Sequence, residues 1–502
     1  MAGQCALPRP AGTLNPETGL PYGDRQGSLT TEKAWIRALV NETYLWYREV
    51  VPRDPALYTV GAVVPYVNPA DNSQALTLLR TNSEVLDAYF NSQRSMQRTA
   101  SGLPKDRFHF TAPTAEWQGM SDSGVSVGFG FHVALLATDP PRNVQVAYTD
   151  PATPAANNQL RRGARFLKVN GVDIVNGIAV DAINEALFTP VPGKQYVFEV
   201  QDAGAAAPRQ ISMSAGTVTA VPVQNVRTLP APHGMVGYLQ FNDHIATAEA
   251  QLITAIEQLK QANNGAGISD LVLDLRYNGG GLLDIASELA GMIAGSTATA
   301  GKTFEKLIFN DKNPFLMSEA EANLPFAQTS LGFSGAPGLP LPQLGLTRLF
   351  VLTGPGTCSA SEAIINGLRG IGVEVIQIGQ TTCGKPYGFR AEDNCGTSYF
   401  TIQFQGLNHQ GFGDYGDGFR PGGTGTPANH LPGCVVTDDL SRALGDPGEP
   451  LLAAALHYRS NGVCPGGATT AAARPGNGAS VLRRSPMRMN RIFQPARTGA
   501  LR

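Results

Sequence analysis

TRLFVLTGPGTCSASEAIINGLRGIGVEVIQIGQTTCGKPYG, residues 347–388, decides how this chain is read. Leu349 to Leu352 is a short apolar run ahead of a Gly/Pro turn, the signature of a buried strand. From Ser361 to Leu368 the apolar residues Ala363, Ile364 and Leu368 fall at helical spacing, and Gly370 and Gly372 end that helix. Val373 to Ile378 is β-rich and predicts a second strand. A strand–helix–strand crossover lays its two strands parallel and brings their carboxyl ends to one sheet edge, where open α/β sheets build their sites. Ser359 follows the first strand and Lys385 the second.

A serine and a lysine meeting at such an edge suggest nucleophile and base. A hydroxyl attacks poorly until a neighbour takes its proton, and a desolvated neutral lysine can take it. Ser359 would stand at a helix N-terminus, where free backbone N–H groups favour developing negative charge. The same residues fit a plainer reading. Ser359-x-x-Glu362 has the form of a capping box, and Lys385 between Gly384 and Pro386 has the form of a surface loop lysine.

The segment resembles the carboxyl-terminal processing, or tail-specific, peptidases. Their nucleophile stands in an S-A-S-E run and their lysine in a later G-K pair, matched by Ser359-Ala360-Ser361-Glu362 and Gly384-Lys385. A second signature lies upstream, Asp274-Leu275-Arg276-Tyr277-Asn278-Gly279-Gly280-Gly281, and the resemblance spans residues 28–440. It implies a multidomain chain of α/β and α+β class: a small N-terminal helical domain, a PDZ domain and a crotonase/ClpP-like βαβ catalytic domain. It also implies a serine endopeptidase with Ser359 as nucleophile, Lys385 as base, and the amides of Gly280 and Ala360 as oxyanion donors, Gly281 being the alternative to Gly280. Relatives that orient the lysine with a glutamine four residues on have their counterpart here in Phe389, which cannot hydrogen-bond. Ser361 and Glu362 are then the nearest substitutes in sequence.

Working outward, the 502 residues predict two to four domains. A formal charge of −2 and 16% charged residues supply no basic field for nucleic acid. No run of about 18 apolar residues predicts a membrane span. The first residues, MAGQCALPRPAG, lack the apolar core of a signal peptide. The six cysteines, at 5, 358, 383, 395, 434 and 464, form no C-x-x-C pair, so zinc has no support and no cofactor is implied. An even count fits disulfides and an oxidising compartment, periplasmic or secreted. Cys434 with Cys464 is the favoured pair, and Cys358 facing Cys383 would brace the site, with two free buried thiols as the equal alternative.

Residues 1–27 are Pro/Gly-rich and read as leader or linker, followed by an N-terminal helical domain over 28–118. Within it, 30–50 suits an amphipathic helix and Ser83 is a possible cap for a second. Residues 119–220 look like a PDZ domain. Gly128-Phe129-Gly130-Phe131 resembles its carboxylate-binding loop, where successive amides form a nest for a peptide's terminal oxygens. The run from Arg162 to Gly171 supports this, with Ala164 in place of the usual Asp. His132 reads as a strand histidine near that groove. The catalytic domain is expected over 221–464, with Asp274 and Arg276 a structural pair. A long insertion at 301–346 has the length of a lid. Asp414 and Asp417 lie in a glycine-dense rim loop without EF-hand spacing. Residues 465–502, which include Arg483, Arg484, Arg488 and Arg491 and carry no acid, predict a disordered basic tail.

Two rival readings come from other classes. A PDZ-containing protein of the same fold can bind peptide tails without chemistry, and the same dyad can serve an ester or amide hydrolase. The absence of G-x-S-x-G around Ser359 disfavours the α/β-hydrolase fold but not that chemistry. The partner expected under the first reading is a protein or peptide substrate, held through its C-terminus.

Overall fold

A computed structural model describes residues 1–466 except 17, 233 and 424–426, and beyond 466 only the backbone of 491–492. The predicted basic tail therefore lies, from residue 467 on, outside the described residues.

The N-terminal part packs α1 (Leu29–Thr43), the hairpin β1 (Val63–Val67) and β2 (Gln74–Leu78), α2 (Asn82–Asn91) and β3 (Phe110–Pro113). Ser28 caps α1, which buries Ile36, Leu39 and Val40 on one face. The cap of α2 is Thr81, not Ser83: Thr81 has the extended backbone a cap needs and accepts from the Glu84 amide. Residues 1–27 are also not the free leader that their composition suggests. Cys5 is fully buried and disulfide-bonded to Cys395, and Arg9 pairs with Asp24 and Asp393.

The middle part is an antiparallel sheet over a core that includes Phe129, Phe166 and Phe198. Its strands are β4 (Phe131–Ala137), β5 (Asn143–Thr149), β6 (Arg165–Val169), β7 (Gln195–Gln201) and β8 (Arg209–Ser214). Helix α3 (Val180–Phe188) adds Ile183, Ala186 and Leu187 to that core. The strand order is β8-β7-β6-β5-β4, which leaves β4 on an edge.

The last part is built on a six-stranded sheet. Its strands, in spatial order, are β9 (Val223–Ala231), β10 (Gly234–Phe241), β11 (Asp270–Asp274), β12 (Arg348–Thr353), β13 (Glu374–Gly379) and β15 (Gly433–Val435). All neighbours are parallel except the β9–β10 pair. Both faces are covered, as parallel sheets require. On one face α4 (Ala248–Lys260), α5 (Leu283–Thr299) and α6 (Ala360–Gly370) pack against Leu271, Leu273, Leu349 and Val351. On the other, α7 (Pro450–Asn461) covers Val272, Phe350, Leu352 and Ile376. Successive strand residues thus go to opposite layers, so an apolar run such as 349–352 is needed rather than an alternating one. Strand β14 (Thr397–Phe400) pairs with β3 and ties the N-terminal part on; the neighbouring strand Phe404–Leu407 pairs with Tyr387–Gly388 after Lys385.

Candidate active site

The carboxyl ends of β12 and β13 lie side by side, Thr353 opposite Gly379. The turn after β12 carries Ser359 to the start of α6, and the segment after β13 carries Lys385. Three links hold these two segments together. Cys358 and Cys383 form a disulfide with Cα atoms 5.1 Å apart. The Cys383 amide donates to the Thr357 carbonyl at 2.9 Å. Glu362, in the first turn of α6, reaches both sides. Its Oε2 accepts from the amides of Ser359 (2.9 Å) and Lys385 (2.8 Å), and its Oε1 from the Gly384 amide (2.8 Å) and the Thr382 hydroxyl (2.5 Å). Ser359, Glu362 and Lys385 are each 0% exposed. Burial raises the Glu362 carboxyl above its ordinary value, and these donors oppose that rise.

Ser359 departs from an ordinary cap in its backbone. A capping residue sits in the extended region; Ser359 has φ 61° and ψ −114°. A non-glycine residue there is strained and persists only where its surroundings over-determine it, a condition met chiefly at functional sites. Lys385 has its amine 4.4 Å from the Phe389 ring centroid and 4.9 Å from that of Phe108. Phe389 thus flanks the amine with an aromatic face. Arg107 closes the lysine segment from the carbonyl side, donating to the oxygens of Cys383 (2.6 Å), Gly384 (3.2 Å) and Gly416 (3.0 Å). Nothing in the sequence alone singles out this clamp.

The glycine loop after β11 is organised by Asn278 and His244. The Asn278 carbonyl accepts from the Cys358 amide and the Ser361 hydroxyl, both at 3.1 Å, so this loop and the serine turn are joined. Asn278 Oδ1 contacts His244 Nδ1 and accepts from the Gly280 amide, both at 2.9 Å. That hydrogen bond engages the N–H of Gly280, the amide expected to donate to the oxyanion. His244 bonds the carbonyl of Gly280 and the amide of Leu282 from one edge of this short strand, and on its other edge Gly281–Leu282 pairs in parallel with Arg491–Ile492. Gly281 has φ 141°, and a Cβ on it would stand 2.3 Å from the His244 carbonyl oxygen, so only glycine fits. Burial pushes His244 down to about 3, and the ring is neutral at ordinary pH. Nothing in a single sequence singled out this histidine.

Asp274 and Arg276 are a buried structural pair: Arg276 Nε donates to Asp274 at 2.9 Å, and its terminal nitrogens hold Glu449 at 2.6 and 2.9 Å. Arg162, from the middle part, reaches the Tyr277 hydroxyl at 2.5 Å and also pairs with Asp438. In the Gly128–Phe131 segment the carbonyls of Phe129 and Gly130 accept from the Ala155 and Asp150 amides at 2.9 and 2.8 Å. His132 contacts Asp150 at 2.7 Å and stacks on Tyr148. Asp417 in the rim loop accepts from Ser101. Among the described residues one group has metal-ligand spacing, Cys358, Glu362 and Cys383, with ligand atoms within 4.8 Å. The disulfide consumes both sulfurs, so the group as it stands offers only the carboxylate.

Residues 235–390 match peptidase family S41. No curated protein matches the chain in sequence. Among solved structures, a putative S41 protease from Bacteroides fragilis shares the fold, with TM-score 0.59 and 22% identity over 86% of this chain and 97% of that one. The photosystem II D1 C-terminal processing protease aligns with TM-score 0.45 and 17% identity over 85% of this chain and all of that one.

Proposed function

We propose that this chain, a serine-type peptidase with its S41 domain at residues 235–390, is an endopeptidase of the carboxyl-terminal processing type that works through Ser359 and Lys385. The observation that carries the assignment is the strained, fully buried Ser359 held through Glu362 to the Lys385 segment. Neutral Lys385 takes the hydroxyl proton as Ser359 attacks the scissile carbonyl, and an acyl-enzyme forms that water hydrolyses. The base must be uncharged, a state that burial favours. The amide of Ala360 and one from the glycine loop, Gly280 or its alternative Gly281, receive the oxyanion. The middle part acts as a PDZ domain: its edge strand β4 offers main-chain pairing to a peptide, and the inward carbonyls of Phe129 and Gly130 favour outward amides for a terminal carboxylate.

Three disulfides, Cys5–Cys395, Cys358–Cys383 and Cys434–Cys464, support an oxidising compartment, periplasmic or extracellular. Among the described residues no helix is long and apolar enough to cross a membrane. The test is cleavage of an unfolded reporter protein by purified Ser359→Ala and Lys385→Ala variants. Each is expected to lose activity to background, and cleavage retained in either rejects the dyad. Turnover of the peptide over a short-chain ester separates a peptidase from an esterase.

A further inference from the structure

We propose that the Cys358–Cys383 disulfide is a redox-sensitive positioning bond: its reduction by a dithiol turns hydrolysis off without unfolding the protein. The inference rests on the Ser359/Lys385 assignment and adds a control to it. The bond joins the residue immediately before the nucleophile to the residue two before the lysine. Each half is otherwise held by hydrogen bonds. The serine turn hangs from Asn278 and Glu362, and the lysine segment from Thr357, Glu362 and Arg107. Ser359 keeps φ 61° only under constraint, and the covalent tie at Cys358 is the stiffest constraint on it. Released, the turn can relax toward an ordinary extended cap, moving the hydroxyl.

The chemistry is accessible from one side. Cys358 is fully buried, whereas Cys383 keeps partial exposure. A dithiol thiolate attacks Cys383 Sγ, the S–S bond breaks, and Cys358 leaves as a thiolate that takes a proton. The reagent's second thiol then attacks the mixed disulfide, leaving Cys383 reduced and the dithiol oxidised by two electrons. The new Cys383 thiol stands 3.5 Å from Glu362 Oε2. As a donor there it competes with the amides of Ser359 and Lys385 for the same oxygen. Reduction therefore loosens two of the three links at once. Cys434–Cys464 lies on the opposite face of the sheet, and Cys5–Cys395 on the N-terminal attachment, so neither touches the dyad.

The test uses the full chain. Activity on the reporter is followed during mild dithiothreitol treatment and reoxidation, with thiol alkylation and mass spectrometry reporting which bond is open. Opening of Cys358–Cys383 is expected to lower kcat about 100-fold with little change in KM, reversibly and with the melting transition retained. A Cys358→Ser/Cys383→Ser variant should be slow from the start and indifferent to reductant, while Cys434→Ser/Cys464→Ser keeps the wild-type response. Full kcat with the bond shown open, or in the 358/383 double variant, overturns the proposal. If the oxidised protein hydrolyses nothing, the peptidase reading has failed instead. Hydrogen exchange over residues 354–362 then decides the positioning claim, since equal protection in oxidised and reduced protein overturns it.

Discussion

Ser359 differs from Ser28 and Ser318, two other serines that cap helices, in both backbone torsions, most plainly in the sign of φ. Ser28 and Ser318 have φ −155° and −67°, and Ser359 has +61°. The S-x-x-E pattern was legible in sequence and its Glu362 half is present, but the pattern does not carry the sign of φ. The buried carboxylates were equally hidden, because an acid's burial depends on what packs over it. Asp284, in the first turn of α5, has an Oδ2 with no exposed surface and no hydrogen-bond partner among the described residues, and burial pushes it up to about 7. Its folded value lies above the unfolded 3.8, so the folded form holds a proton the unfolded chain has released. Stability should then be full below pH 4 and fall as pH rises toward 7. Asp284→Asn removes that loss, and at pH 8 it is expected to stabilise by on the order of 3 kcal/mol. At pH 4 it should change little. Thermal melts of the two proteins at both pH values read this directly, and equal melting differences at pH 4 and 8 would refute it.

Among the elements, the ones that position the dyad were the ones sequence reasoning found. Strand 348–353, helix 360–370 and strand 374–379 lie where their apolar spacing put them, because each is buried along its length and composition has to follow burial. The long insertion was legible as an insertion but not in its role. Read as a lid, it turns out to be pinned at residues 331–335. The amides of Leu331, Gly332, Ser334 and Gly335 donate to the Glu249 carboxylate of α4 at 2.7 to 3.1 Å. Leu331 also donates to Glu288 of α5, which burial and the neighbouring Glu249 charge push to about 9, so that it is a neutral acid at pH 7. A carboxylate that gathers four amides on a loop leaves no signature in sequence, since its donors are backbone. Glu249→Gln exchanges one acceptor oxygen for an NH2 group facing the same amides. It should cost about 2–4 kcal/mol in denaturant unfolding and speed hydrogen exchange across 330–336. Unchanged exchange there would mean the loop is held by something else.

Across the whole molecule, long-range attachment escaped the sequence most. The Cys5–Cys395 bond links positions 390 residues apart and ties the first segment to the turn before β14, although its Pro/Gly content reads as linker. Composition reports backbone preference, whereas a disulfide partner is set by the fold. The middle part was placed by motif, and its arrangement gives that motif a measurable consequence. Strand β4 is an edge, so a bound peptide can extend the sheet, and the adjacent Gly128–Phe131 segment has its carbonyls at 129 and 130 turned to the Ala155 and Asp150 amides. Opposed amides would then meet a free carboxylate in a charge-assisted hydrogen bond, which blocking the peptide end abolishes. Amidating the C-terminus of a reporter peptide long enough to reach both this loop and Ser359 should raise KM about tenfold and leave kcat unchanged, because that hydrogen bond is made equally in the ground and transition states. A shorter peptide that fills only the Ser359 cleft should be indifferent to amidation. If the long peptide is equally indifferent, this domain does not read the chain end, and substrates are recruited by the part that carries Ser359 alone.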